Sequence, residues 1–208
     1  MKNNKNEVQI YGVIMDIQPD GFFKDGEKFR RFYIGVKRTS GNVDLLPVIV
    51  EEEYMGGLKV GHRVYIKGKY ISFNKHENGK SRLILEIQPE VFGKTDEEND
   101  ENKIVLEGYL CKPPVYRKTP MGKEICDLII ACNDNEKTDY IPCICRFKNA
   151  RMASGFKVGD YVKFLGRIQS RIYQKELPGG EVEFRTAYEI SIGRIMGNEE
   201  SGSKKDHA

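Results

Sequence analysis

Residues 57–70 read GLKVGHRVYIKGKY, and residues 155–168 read GFKVGDYVKFLGRI. Six of the fourteen positions are identical and most of the others are conservative exchanges. The likeness extends outward on both sides. NEVQIYG (6–12) aligns with NKIVLEG (102–108), and VDLLPVIV (43–50) with TDYIPCIC (138–145). In the last pair an Asp and a Pro stand three apart inside an apolar strand. A segment of about 95 residues is therefore present twice. Two copies are too few for a solenoid, whose units need several neighbours to bury their faces. The repeat predicts two tandem domains, each with its own core.

The boundaries follow charge. Residues 1–93 form the first copy, net +3, and residues 102–195 the second, net +5. Between them lies KTDEENDE (94–101), net −4, which reads as a soluble spacer or as a repulsive divider. Residues 196–208 form a polar tail, flexible by composition. The chain of 208 residues has 39% hydrophobic and 31% charged residues, as expected of small domains with a high surface-to-volume ratio. No apolar run approaches the ~20 residues of a membrane span, and MKNNKNEVQ lacks the apolar centre of a signal peptide. A cytoplasmic protein is expected.

Period-2 alternation and turn signals place five strands in each copy. They lie at 7–18, 29–38, 43–51, 62–74 and 81–92 in the first, and at 103–112, 124–133, 139–147, 160–173 and 183–195 in the second. The turn signals are Asp25-Gly26, Asn78-Gly79, Pro120-Met121-Gly122 and Pro178-Gly179-Gly180. A short helical stretch follows strand 3 in each: EEEYMGGL (51–58) and KNARMASGF (148–156). That order predicts an all-β chain of two tandem OB-folds, five-stranded Greek-key barrels with a short helix between strands 3 and 4. Gly68 and Gly166 fall inside strand 4, where a small barrel must bend.

Strand faces carry the chemistry. In the second copy Val162, Phe164, Gly166, Ile168, Ser170 and Ile172 form the core set of strand 4. Lys163, Leu165, Arg167, Gln169, Arg171 and Tyr173 point outward. In strand 3, Ile141, Cys143, Cys145 and Phe147 are assigned to the core, and Tyr140, Pro142, Ile144 and Arg146 to the outside. Outward cations interleaved with aromatics suit an unpaired nucleic-acid strand, with cations along phosphates and rings stacked on bases at ~1–3 kcal/mol each. The bland reading of any one outward Lys or Arg is solubility. The five cysteines, all in the second copy, show no CxxC pair or zinc spacing, and read as buried strand thiols. No catalytic or nucleotide-fold motif is present, so no enzyme activity, metal or cofactor is expected.

The second copy resembles the bacterial single-stranded DNA-binding protein family. The resemblance rests on the opening Asn102-Lys103 strand and the loop Pro114, Arg117, Thr119, Pro120, Gly122. It continues through an aromatic early in strand 3 and a G-R-x-x-x-R-x-aromatic close of strand 4. It implies non-catalytic, largely sequence-independent binding of single-stranded DNA in replication, recombination or repair. It also implies four OB domains per assembly, hence a homodimer of this two-domain chain. The implied contact residues are Tyr140 and Tyr173 as stackers, with Arg117, Lys118, Arg146, Lys148, Arg167 and Arg171 as cations. Arg146 stands where the family often has an aromatic. The first copy keeps Arg30, Arg31, Lys67, Lys69 and Phe73 as candidates, with Lys75 beyond them, but has Leu45 and Glu51 in place of Tyr140 and Arg146. The closing EESGSKKDHA lacks the acidic, apolar-tipped tail of the family, so replication or repair partners would dock elsewhere. Two other readings stand beside this one: a replication-restart or phage/plasmid accessory protein using its OB faces for partner docking, and a single-stranded RNA binder.

Overall fold

The structure is a computed structural model, and it describes residues 4–196 except 25, 78, 135–136 and 177–179. The tail and the turn residues Asp25, Asn78, Pro178 and Gly179 lie outside the described residues. The first half contains β1 (Asn6–Ile17), β2 (Phe22–Lys24), β3 (Glu27–Lys37), β4 (Val43–Glu51), β5 (Arg63–Glu77) and β6 (Lys80–Lys94). The second contains β7 (Glu101–Leu110), β8 (Val115–Lys118), β9 (Glu124–Asn133), β10 (Thr138–Arg146), α1 (Lys148–Ala153), β11 (Tyr161–Glu176) and β12 (Val182–Met196). The short strands β2 and β8 go beyond the five expected per copy; each folds back on the start of the strand that follows it. The helix-like stretch of the first half is only a four-residue 3-10 turn, Glu52–Met55, with no buried residue. In the second half α1 buries Ala150 and Ala153.

Each half closes into a barrel. In the first, β1 pairs with both β3 and β5, and β4 joins β6 in parallel. In the second, β7 pairs with both β9 and β11, and β10 joins β12 in parallel. These are two tandem OB-folds. Repetition reaches single atoms. Asn6 donates from Nδ2 to Tyr70 O at 2.9 Å and accepts from Tyr70 N at 3.0 Å. Asn102 does the same with Ile168, at 2.7 and 2.9 Å. The strand-4 glycines sit at register shifts between Lys67 and Gly68 and between Leu165 and Gly166. A Cβ on Gly166 would stand 2.6 Å from Ser191 O, and one on Gly68 would run into Gln88 O. Only glycine lets the neighbouring strand pass that closely.

The barrels are joined edge to edge. Strands β1 and β7 pair antiparallel over six residues, with Val8 opposite Ile104 at the centre and Asn6 opposite Leu106 at one end. Val8 and Ile104 are equivalent in the repeat, so a pseudo-twofold axis passes between them. The pairing turns two sheets into one of twelve strands. The buried side chains likewise form one continuous cluster, in contrast to the separate cores expected from sequence. Tyr70 marks this fusion: it is fully buried, with Tyr188, Cys143 and Glu189 of the other barrel around it.

The recurring Asp-x-x-Pro has a structural role at this junction. Asp44 Oδ1 accepts from Ser170 N at 2.8 Å, and Ser170 Oγ accepts from Leu45 N at 3.0 Å. Reciprocally, Asp139 Oδ1 accepts from Ser72 N at 2.6 Å, and Ser72 Oγ accepts from Tyr140 N at 2.8 Å. Each barrel thus uses strand 3 to hold strand 4 of the other. Both aspartates are buried, at 1% and 3% exposure. A buried carboxylate needs such donors or cations to remain charged. The acidic spacer is also pinned: Arg63 donates to Glu97 O and to Asp100 Oδ1, each at 2.7 Å, and Lys37 N donates to Asp100 Oδ2 at 2.6 Å.

Candidate nucleic-acid interface

The outward side of β10 ends in a groove on the second barrel. Its cations are Arg117 from β8, Lys123 from the turn after it, Arg146 from the end of β10 and Arg171 from β11, with Phe147 and Ile144 also lining it. Three of the residues expected from sequence therefore meet there. Arg146 is held by Nη1 donating to Ser191 Oγ at 2.7 Å. Arg117 reaches Asp127 at 2.9 Å but stays half exposed, so that pair is weak and readily exchanged. Arg171 lies over the Tyr173 ring at 5.6 Å, a cation–π contact on the projecting β11–β12 hairpin. Glu124 and Glu189 also line the groove. Glu124 is engaged by the Tyr116 hydroxyl at 2.6 Å and by Arg151. Glu189 accepts from Gln169 at 2.5 Å.

The remaining candidates of the second barrel are spread around this groove. Lys118 on β8 and Lys148 at the start of α1 are exposed. Tyr140 is exposed but lies at the opposite end of β10 from Arg146, roughly 20 Å away for six strand residues. Arg167 faces the inter-barrel junction, where Nη1 reaches Asp44 Oδ2 at 3.0 Å.

The structure corrects four face assignments. Phe147, a core position by alternation, is 58% exposed, because the backbone there turns to φ 53° and throws the ring outward. A positive φ is uncommon for a bulky residue, and it sits here beside the groove. Ile172 is 71% exposed, because the hairpin projects past the barrel and neither face has a core to cover. Ile144 and Gln169, outward by alternation, are buried. Gln169 follows the register shift between Leu165 and Gly166, which breaks simple alternation along β11.

The first barrel does not gather its candidates. Arg30 donates to Pro19 O at 2.8 Å and pairs with Glu52. Arg31 pairs with the buried Glu86 and lies over the Phe22 ring at 5.3 Å. Lys67 stands over the Tyr65 ring at 5.5 Å, and Lys69 pairs with Asp134 at 2.6 Å. Phe73 is exposed on β5. Where the second barrel has Arg146, the first has Glu51, with Glu27 and Glu53 beside it. Desolvation, then these two carboxylates, push the Glu51 carboxyl above its usual range. An anionic strand would meet repulsion there.

Alternation misses Phe147, Arg38 and Asp44. The recurring Asp-x-x-Pro points to Asp44; nothing local marks Arg38. The thiols of Cys126, Cys132, Cys143 and Cys145 are buried, and Cys111 is half-buried.

Comparison with known proteins agrees with this geometry. Residues 101–196 match the model of the single-strand binding protein family. The single-stranded DNA-binding protein of Neisseria meningitidis serogroup B is 33% identical over 115 residues, covering 49% of this chain and 64% of that one. Single-stranded DNA-binding protein 2 of Listeria innocua is 35% identical over 81 residues, covering 35% of this chain and 51% of its own. The chain thus spans about half to two thirds of the length of the curated relatives it matches. The crystal structure of the wild-type single-stranded DNA binding protein from Thermus aquaticus superposes over 99% of this chain and 98% of that one, with a TM-score of 0.71. Identity there is 19%, so the likeness speaks for the fold. With one barrel matched in sequence and both matched in fold, the second domain is similar to the single-strand binding protein family, and the whole chain shares the tandem-barrel fold.

Proposed function

We propose that this protein binds single-stranded DNA, without catalysis and with little sequence preference, mainly through its second barrel. The convergence of Arg117, Arg146 and Arg171 around the out-turned Phe147 carries this reading. Guanidiniums follow phosphates, and an exposed ring beside them offers a stacking platform to any base. A duplex hides its base faces from such a ring. Tyr140 at the far end of β10 and Tyr173 on the hairpin extend the surface. The bound strand would serve replication, recombination or repair in the cytoplasm, as the resemblance of the second copy implies. Two chains would bring four barrels together as a homodimer. The outer face of β5, β1, β7 and β11 is the surface for it, with the Tyr11 and Tyr65 rings 4.9 Å apart on one side and the Glu107–Lys163 pair at 2.8 Å on the other. Among the described residues no helix is long and apolar enough to cross a membrane.

A fluorescence titration with oligo-dT tests the reading. Tight, salt-sensitive binding with little affinity for duplex is expected; equal affinity for both would refute it. A second reading, partner docking, is favoured by the acidic first-barrel face around Glu51 and Glu53, which is better suited to a basic protein than to DNA. Retention of a helicase or primase without any dT affinity would select it. Competition between matched DNA and RNA strands decides the third reading, RNA binding.

A further inference from the structure

The fold is pseudo-symmetric, so each feature of the junction between the barrels occurs twice, and the two versions differ in charge. Arg146, Ser191 and Arg167 lie in a row across β10, β12 and β11: Arg146 donates to Ser191 Oγ, and Ser191 faces Arg167 in the strand register. The row runs on to Arg38 of the first barrel, which shares Asp44 with Arg167. Burial first, and then the neighbouring Arg38 and Arg146 guanidiniums, hold Arg167 below its usual range. Two cations thus share one carboxylate, and Arg146 stands next in the row beside Arg167. Lys37, Thr39 and Ser40 complete the notch.

The pseudo-equivalent row has opposite character. Glu51 replaces Arg146, Gln88 replaces Ser191, and Lys69 replaces Arg167. Asp134 replaces Arg38, at the same turn position: Arg38 N donates to Asn42 O at 2.7 Å, and Asp134 N to Lys137 O at 2.9 Å. Lys69 is bound there by both Asp134 at 2.6 Å and Glu90 at 3.5 Å. Asp139 fills the place of Asp44, paired with Lys137 at 3.1 Å, and Glu7 lines the notch. Carboxylates outnumber cations on this side.

We infer that the Arg146–Arg167–Arg38 row is a phosphodiester-binding track, and that a bound single strand leaving the second-barrel groove crosses to the first barrel on this side only. This rests on the reading of the protein as a single-strand binder. The track gives the path a direction that a symmetric pair of barrels would lack. It also assigns Arg167 and Arg38 two tasks, holding Asp44 and presenting their remaining N–H groups to a phosphate.

Photo-crosslinking tests it. A benzophenone amino acid is placed at Ser40 in the cationic notch or at Glu7 in the acidic one, and the full chain is irradiated with labelled oligo-dT long enough to span both barrels. Crosslinking at Ser40 should exceed that at Glu7 several-fold; equal yields, or an excess at Glu7, would overturn the one-sided path. Arg38→Gln should weaken binding of the long oligomer several-fold and reduce the salt slope by about 0.7, the value for one phosphate no longer neutralised. Binding of a dT oligomer short enough to fill only the second-barrel groove should be unchanged, and Arg38→Lys should restore most of the affinity. An unchanged slope for Arg38→Gln on the long oligomer counts against the track. If the unmodified protein retains no dT at all, the single-strand reading itself fails; if it binds and the notches crosslink alike, only the track fails.

Discussion

Replacing Asp44 with Ala should destabilise this protein more than any other single change at the junction. Asp44 is 1% exposed, and three groups converge on it: the Ser170 N–H at 2.8 Å, the Arg38 guanidinium and the Arg167 guanidinium at 3.0 Å. Truncation leaves a half-buried backbone donor without its acceptor, and two half-buried cations beside each other without their counter-charge. Breaking a buried pair by removing one partner costs about 3–5 kcal/mol. The lower end applies here, because Arg38 and Arg167 are 24% and 35% exposed and can turn toward water. Asp139→Ala removes the acceptor of Ser72 N and a partner of the well-exposed Lys137, a cost of about 2 kcal/mol. Urea unfolding at fixed protein concentration reads both. With a slope near 2 kcal/mol/M, the midpoint should fall by about 1.5 M for Asp44→Ala and about 1 M for Asp139→Ala. Asp44→Asn, which keeps an acceptor for Ser170 N but no charge, should lie between wild type and Asp44→Ala. An Asp44→Ala midpoint within about 0.3 M of wild type would refute the idea that these aspartates clasp the two barrels together.

Gly166→Val should cost well over the ~1–3 kcal/mol of ordinary overpacking, because its first side-chain carbon would stand 2.6 Å from Ser191 O; a melting temperature unchanged within error would contradict the close strand crossing. Burial pushes the thiols of Cys132 and Cys145 up to about 12. The reactive form is the thiolate. Burial raises the Cys111 thiol as well, but Cys111 is only half-buried, so a thiol reagent should modify the native chain slowly and at Cys111 first, and reach all five sites only after unfolding. Phe147→Ala should weaken oligo-dT binding by about 1–3 kcal/mol with little change in salt slope, as expected for a stacking platform rather than a phosphate ligand. Tyr140→Ala and Tyr173→Ala should each weaken dT binding more than Lys75→Ala, measured in the same titration.

Much of the fold is legible because a duplication lets one half check the other. The glycine in strand 4 and the asparagine opening strand 1 recur because each closes its barrel in the same way. Duplication also hides the junction. Residues such as Val8 and Ile104 look like ordinary core positions in either copy, and only the β1–β7 pairing shows that they meet. Alternation finds Arg146 and Arg171 but misplaces Phe147, whose backbone turns where β10 passes into α1. It also misplaces Ile172, since period 2 tells which face a residue is on and not whether anything covers that face. Arg167 looks in sequence like a plain outward cation; its partner Asp44 lies 123 residues away. The first-barrel candidates are scattered for a related reason, as Glu52, Glu86 and Asp134 draw its cations to different places.

The central claim is that the groove of the second barrel grips a single strand and its first-barrel counterpart does not. Salt-dependent titration of oligo-dT tests it most directly, comparing the triple exchange of Arg117, Arg146 and Arg171 to Ala with the triple exchange of Arg30, Arg31 and Lys67 to Ala. The second-barrel triple should lower the slope of log affinity against log salt by about 2, near 0.7 for each phosphate no longer neutralised, and weaken binding at least about a hundredfold at low salt. The first-barrel triple should change the slope by less than about 0.7, the value for a single phosphate. Equal weakening by the two triples, or a second-barrel triple that binds like wild type, would contradict the account.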